Sequence, residues 1–324
     1  MFSDKHRKSG SETDSDRWQQ ETITKLAFAA VDEQRRARRW SIFFKFLFFS
    51  YLVAIIFLYK PELSITQGEL DRHTALVEMK GIIAPDKEAG ADNIVSGLRS
   101  AFESKNTAGV ILRINSPGGS PVQAGYINDE IQRLRKEYSE IPFYVVIADV
   151  CASGGYYVAA AADKIYADKA SIVGSIGVRM DSFGFVDAME KLGIERRLLT
   201  AGEHKGFLDP FLPTKERDVQ QVETLLKDIH QQFIDVVKDG RGDKLQDEPN
   251  LFSGYVWTGE QAVDLGLVDE LGSASYVARE VIGEETIVDY TPQEDLFEKF
   301  SRKLGTVLAQ QLGQMFAGES VMLR

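Results

Sequence analysis

A serine flanked by small residues is the first group in this chain that could do covalent chemistry. The stretch Val150-Cys151-Ala152-Ser153-Gly154-Gly155-Tyr156-Tyr157 follows an apolar run ending near Ala148 and opens into the alanine-rich residues 158–162, which favour helix. On a tight strand-to-helix turn, a serine hydroxyl is lifted out of the sheet and the N–H groups after it point into free space. That is the mechanical logic of a nucleophile elbow, although the letters are not G-x-S-x-G. The competing role is ordinary: Ser153 could cap the helix with its side chain.

A second turn, Asn115-Ser116-Pro117-Gly118-Gly119-Ser120, follows the apolar run 110–114. Pro117 fixes one φ, and two glycines permit a backbone whose N–H groups converge on an anion. The spacing is neither a P-loop nor G-x-G-x-x-G, so it does not specify a nucleotide. An anion-stabilising nest and a plain structural turn both fit.

A serine nucleophile needs a base. Histidines stand at 6, 73, 204 and 230 with no short metal-ligand spacing, and His204 is the one in an expected loop. Its neighbour Lys205 is an equal candidate, and a solvated surface lysine is the bland reading. A lysine can act as a base near pH 7 only in a dry pocket, because lowering its pKa from about 10.4 costs about 5 kcal/mol. The single cysteine, Cys151, excludes an intramolecular disulfide framework and a multi-cysteine zinc site. No cofactor is called for.

Positioning these groups falls to short β-branched runs alternating with helical spacing. Residues 75–79, 109–114 and 142–148 predict strands buried on both faces, and residues 91–102 and 123–134 predict helices between them. Such alternation predicts βαβ units and a mostly parallel sheet. Val219, Val222, Leu226, Ile229, Phe233 and Val236/Val237 mark one face of a long helix expected to stop before Gly240. Phe297, Phe300, Leu304, Val307, Leu308 and Leu312 mark a last amphipathic stretch within 291–324.

The chain has 324 residues, 44% hydrophobic and 27% charged, which excludes wholesale disorder and a multi-span membrane protein. Residues 1–39 carry a net +2, Lys45 and Lys60 add two more, and the formal −11 therefore leaves −15 on residues 61–324. That acidic bulk argues against nucleic acid as a partner. Residues 1–40 are polar and are expected to be a disordered head. Residues 46–59 are an unbroken run of fourteen apolar or small residues, and 41–44 extend it to nineteen if Lys45 is tolerated. Close to the roughly 20 residues a bilayer span requires, residues 41–60 are expected to be an uncleaved anchor. Arg35, Arg36, Arg38 and Arg39 before it would keep the amino terminus in the cytoplasm and put residues 61–290 outside.

Taken together, the chain resembles the signal peptide peptidase A family of serine–lysine peptidases, in its short single-repeat form. The resemblance rests on Asn115-Ser116-Pro117-Gly118-Gly119, Ala152-Ser153-Gly154-Gly155-Tyr156, Ala161-Ala162-Asp163-Lys164-Ile165, Gly174-Ser175-Ile176-Gly177-Val178, the Lys205 loop, and 259–262 through 266–269. It implies an α/β fold of the ClpP/crotonase-like spiral type, with Ser153 as nucleophile and Lys205 as general base. It further implies oxyanion donors at Gly119 and Gly154, and a lysine-orienting hydroxyl at Ser175. Members build active sites at subunit boundaries, so a homo-oligomeric ring is implied. The expected activity is endopeptidase cleavage of signal peptides or other membrane-derived fragments at the outer face of a bacterial inner membrane. The alternative is a catalytically silent, ring-forming membrane scaffold of the same fold.

Overall fold

A computed structural model describes residues 10–58 and 71–292, and the chain divides into two units at Gly68/Glu69. The first unit contributes one helix, α1, Gly10–Leu58. The polar head expected to be disordered is therefore helical from Gly10 on. The physical reason is composition: residues 17–39 are dense in Glu, Gln, Lys, Arg, Ala and Leu, all strong helix formers. Trp40 stacks on Phe44 and meets Phe43 edge-on, and the large apolar side chains from Ile42 to Val53 are all exposed. Among the described residues no helix is long and apolar enough to cross a membrane. The far end of the expected anchor, the side chains of 55–58 and residues 59–60, lies outside them.

The second unit is a mixed α/β sheet. Its strands are β1 His73–Lys80, β2 Thr107–Ser116, β3 Phe143–Ala152, β4 Lys164–Ala167, β5 Ile172–Gly174, β6 Val256–Thr258, β7 Glu270–Leu271 and β8 Ile287–Asp289. The main path runs β6-β5-β3-β2-β1-β8, with β4 and β7 branching from β3. All pairs are parallel except β5 with β6. One edge of β3 serves two partners: Tyr144–Ile147 pair with β4, and Val150–Ala152 pair with β5. That split lets β3 run past the expected end at Ala148 to Ala152, directly before Ser153.

Helices α2 Ala91–Glu103 and α3 Pro121–Glu137 cover one sheet face, burying Ile94, Leu98, Ile127, Ile131 and Leu134. The second starts earlier than its apolar spacing indicates because Ser120 caps it, accepting the Gln123 N–H, and Pro121 fits the first turn. Glu130 ties the two helices together by accepting from Arg133 and Arg99, which pull its carboxyl down to about 2. A smaller cluster around Ile111, Tyr166 and Val277 covers the opposite face.

After the short helices α4 Gly154–Ala159 and α5 Val186–Lys191 comes the long helix α6, Glu216–Arg241. It does not stop before Gly240. That glycine lies inside the helix because a Cβ there would fall 2.0 Å from the Ala160 carbonyl oxygen, and the stop is Gly242, at φ 54°. Of the expected apolar face only Phe233 and Val237 are fully buried. Beside them Arg241 is buried, donating to the Gly266 carbonyl and to Asp269 at 2.8 Å. Burial alone would raise the Asp269 carboxyl. Hydrogen bonds from Arg241, Lys244 and the Ile165 N–H outweigh it and hold the group below the usual carboxylate range. From residue 293 on, the expected C-terminal amphipathic stretch lies outside the described residues.

Candidate active site

The elbow forms where β3 ends. Ser153 adopts φ 53°, ψ −124°, a region that L-residues avoid, and it begins α4, Gly154–Ala159, without making any side-chain cap hydrogen bond. The capping role is therefore not the one this serine plays. Its hydroxyl is partly exposed and takes no partner among the described residues. The backbone around it is pinned: Tyr156 and Tyr157 donate to the Ser153 carbonyl, and the Ser153 N–H donates to Gly174 at 2.8 Å.

The Pro-Gly-Gly turn packs against the elbow. A Cβ added at Gly118 would lie 2.8 Å from the Ser153 Cβ and 2.7 Å from the Gly154 nitrogen. One added at Gly154 would lie 3.4 Å from the Gly119 nitrogen. Gly119 is itself wedged against residue 83, where a Cβ would fall 2.1 Å from the Ile83 carbonyl oxygen, so no larger residue fits. Ile83 donates to the Gly118 carbonyl and accepts from Ser120, which leaves the Gly119 N–H between them without an acceptor among the described residues. The Gly154 N–H, at a helix start, likewise has no acceptor among the described residues. Two free N–H groups next to a serine hydroxyl can stabilise an oxyanion.

Ser175 follows Gly174 at the end of β5, also at φ 53°, and donates its N–H to the Tyr255 carbonyl at 2.7 Å. Ser153 and Ser175 thus stand at the carboxyl ends of neighbouring parallel strands, the end at which α/β sheets place ligands. Lys205 lies exposed in the turn 202–208, and its ammonium has no hydrogen-bond or ion-pair partner among the described residues. His204 faces only Glu203, His73 bonds to Tyr290 and the Asp71 carbonyl, and His230 reaches the Ile176 carbonyl. None of these histidines hydrogen-bonds Ser153 among the described residues. Cys151 is fully buried beneath the elbow, and burial pushes its thiol far up, out of the reactive range.

Asn115 was not singled out by its sequence. Its amide donates to Asp149 at 2.7 Å and accepts the Val150 N–H, bracing the carboxyl ends of β2 and β3. Ser116 donates to the Gly81 carbonyl and accepts the Gly118 N–H, fixing the Pro-Gly-Gly turn. The only sequence signal for either was position, directly before the Pro-Gly-Gly turn.

Residues 135–286 match the family model of peptidase family S49. A Methanocaldococcus jannaschii protein assigned as a protease is 30% identical over 243 residues, covering 73% of this chain and 77% of that protein. The chain belongs to peptidase family S49. Within S49 it is of the signal peptide peptidase A type, and the chloroplastic serine protease SPPA of Arabidopsis thaliana is 30% identical over 203 residues, 62% of this chain and 30% of that one. The Na(+)/H(+) antiporter NhaA of Brucella abortus is 48% identical over 188 residues, 58% of this chain. The S49 chain spans a quarter of that antiporter's length, and of the matching Brucella melitensis antiporter.

Proposed function

We propose that this S49 chain is a membrane-anchored serine endopeptidase with a Ser153–Lys205 dyad. The observation that carries the reading is the strained, uncapped Ser153 standing between the unused N–H groups of Gly119 and Gly154. In the proposed reaction the neutral lysine takes the Ser153 proton as Oγ attacks the peptide carbonyl carbon. The oxyanion is held by Gly119 and Gly154, and the departing amine takes the proton back from the lysine. Water then hydrolyses the acyl-enzyme by the same route. Ser175 would orient the lysine, as its place beside the elbow allows.

Assembly completes the proposal. Lys205 has no hydrogen bond to Ser153 among the described residues, and the segment 179–215 that carries it exposes Phe183, Leu192, Ile194 and Leu199. A neighbouring copy would cover this apolar surface and dry the lysine, giving a ring with active sites at subunit boundaries. The exposed apolar face of α1 and the arginines before it support a single-pass anchor with the peptidase unit on the extracytoplasmic side of a bacterial inner membrane. Signal peptides and membrane-protein fragments are then the nearest substrates. A Lys205 without a hydrogen bond to Ser153 is also what a silent scaffold would show. A fluorophosphonate probe decides: labelling of the membrane-extracted protein that is lost in Ser153→Ala supports the peptidase, and no labelling of the wild type supports the scaffold.

A further inference from the structure

We propose that Trp257 is a positioning residue that holds Ser153 in its reactive conformation through Gly174; the proposal rests on Ser153 being the nucleophile. Ser153 sits at φ 53°, and such a conformation persists only when its surroundings over-determine it. Its backbone N–H is held by a single acceptor, the Gly174 carbonyl. Gly174 is itself at φ 108° and ends β5, so its orientation must be fixed from the other side.

That side is β6. Val173 pairs with Trp257 and Gly174 with Val256, and the Trp257 indole lies flush against Gly174. A Cβ on Gly174 would stand 3.1 Å from Trp257 Cδ1 and 3.6 Å from Nε1. The indole nitrogen is buried with no acceptor among the described residues, so the ring works by packing and not by a hydrogen bond. Trp257 also packs against the main core, and Tyr255 meets it edge-on while accepting the Ser175 N–H. The base of the wedge is stiff. Thr258, the next residue, caps the short helix α7, Gly259–Asp264, in a reciprocal pair with Gln261. One flat ring thus presses on the residue that holds Ser153 and on the strand end that carries Ser175.

The test compares wild type, Ser153→Ala, Trp257→Phe and Trp257→Leu as full chains, reading peptide hydrolysis, fluorophosphonate labelling and melting temperature. Trp257→Phe keeps a flat ring and should stay within about threefold of wild-type kcat, while Trp257→Leu should lose at least about tenfold in kcat with KM unchanged. Both should remain folded. Trp257→Met serves in place of Leu if the latter does not fold. Wild-type kcat in folded Trp257→Leu or Trp257→Met, or a Phe variant as impaired as these, would overturn the proposal. A wild type that neither hydrolyses peptide nor takes the probe would instead overturn the reading of Ser153 itself.

Discussion

The Ser153 N–H and the Gly174 carbonyl, 2.8 Å apart, join two strand ends, and each is followed or occupied by a serine at φ 53°. Ser153 is the residue after β3 and Ser175 the residue after β5. Strain of this kind costs roughly 1–3 kcal/mol and is tolerated where it serves a site. Ser153→Gly should therefore raise the melting temperature, since glycine adopts this conformation freely. Ser153→Ala removes the hydroxyl and keeps the strain, so it should abolish hydrolysis at unchanged stability. Thermal melts and turnover of the two variants check both halves.

Gly119→Ala should be the most damaging single-methyl change in the Pro-Gly-Gly turn. Its Cβ would meet the Ile83 carbonyl oxygen at 2.1 Å, and relieving that clash moves the free N–H away from the elbow. Overpacking of this kind costs about 1–3 kcal/mol. Hydrolysis should fall further than stability, which denaturant titration alongside kinetics will show.

Lys205→Ala should leave the melting temperature unchanged, because the side chain is exposed and unpartnered. Activity should fall by about 10²- to 10⁴-fold, the usual worth of a general base. If neighbouring copies share each site, mixing inactive Ser153→Ala and Lys205→Ala chains before assembly should restore part of the activity. Mixed assemblies that stay inactive would place both residues in the same chain's site.

Acid should loosen the fold in two places. Glu130 is held down to about 2 by its arginines, and Asp269 is held low against the pull of burial. A carboxylate with a depressed folded pKa stabilises above its unfolded value and loses that contribution as pH falls through the folded one. Stability should therefore hold above about pH 4.5 and decline toward about pH 2. At neutral pH, Asp269→Asn leaves the buried Arg241 charge without its counter-ion and should cost about 3–5 kcal/mol. Denaturant melts across that pH range check both statements.

The strands and helices that frame the elbow were legible because their patterns are local. Two-sided burial marks β1, β2 and the start of β3, and the i, i+4, i+7 spacing of Ile127, Ile131 and Leu134 marks α3. The glycines of the Pro-Gly-Gly turn and the small residues around Ser153 could be singled out the same way. Less local features were misjudged. The end of α6 looked like Gly240 because a glycine usually stops a helix, yet that glycine is there so that Ala160 can approach.

The sequence by itself therefore determined which turns carry a serine, paired glycines and a candidate lysine, since composition and spacing act over a few residues. Only the tertiary structure decided that Ser153 does not cap its helix, that Gly118 packs against it while Gly119 meets Gly154, and that Ser175 stands at the end of the neighbouring strand. Relations of this kind join residues 35, 22 and 80 positions apart, as in Gly118 with Ser153, Ser153 with Ser175, and Tyr255 with Ser175. They exist because the edge of β3 splits between β4 and β5, a pairing choice set by the whole sheet and invisible to any local pattern.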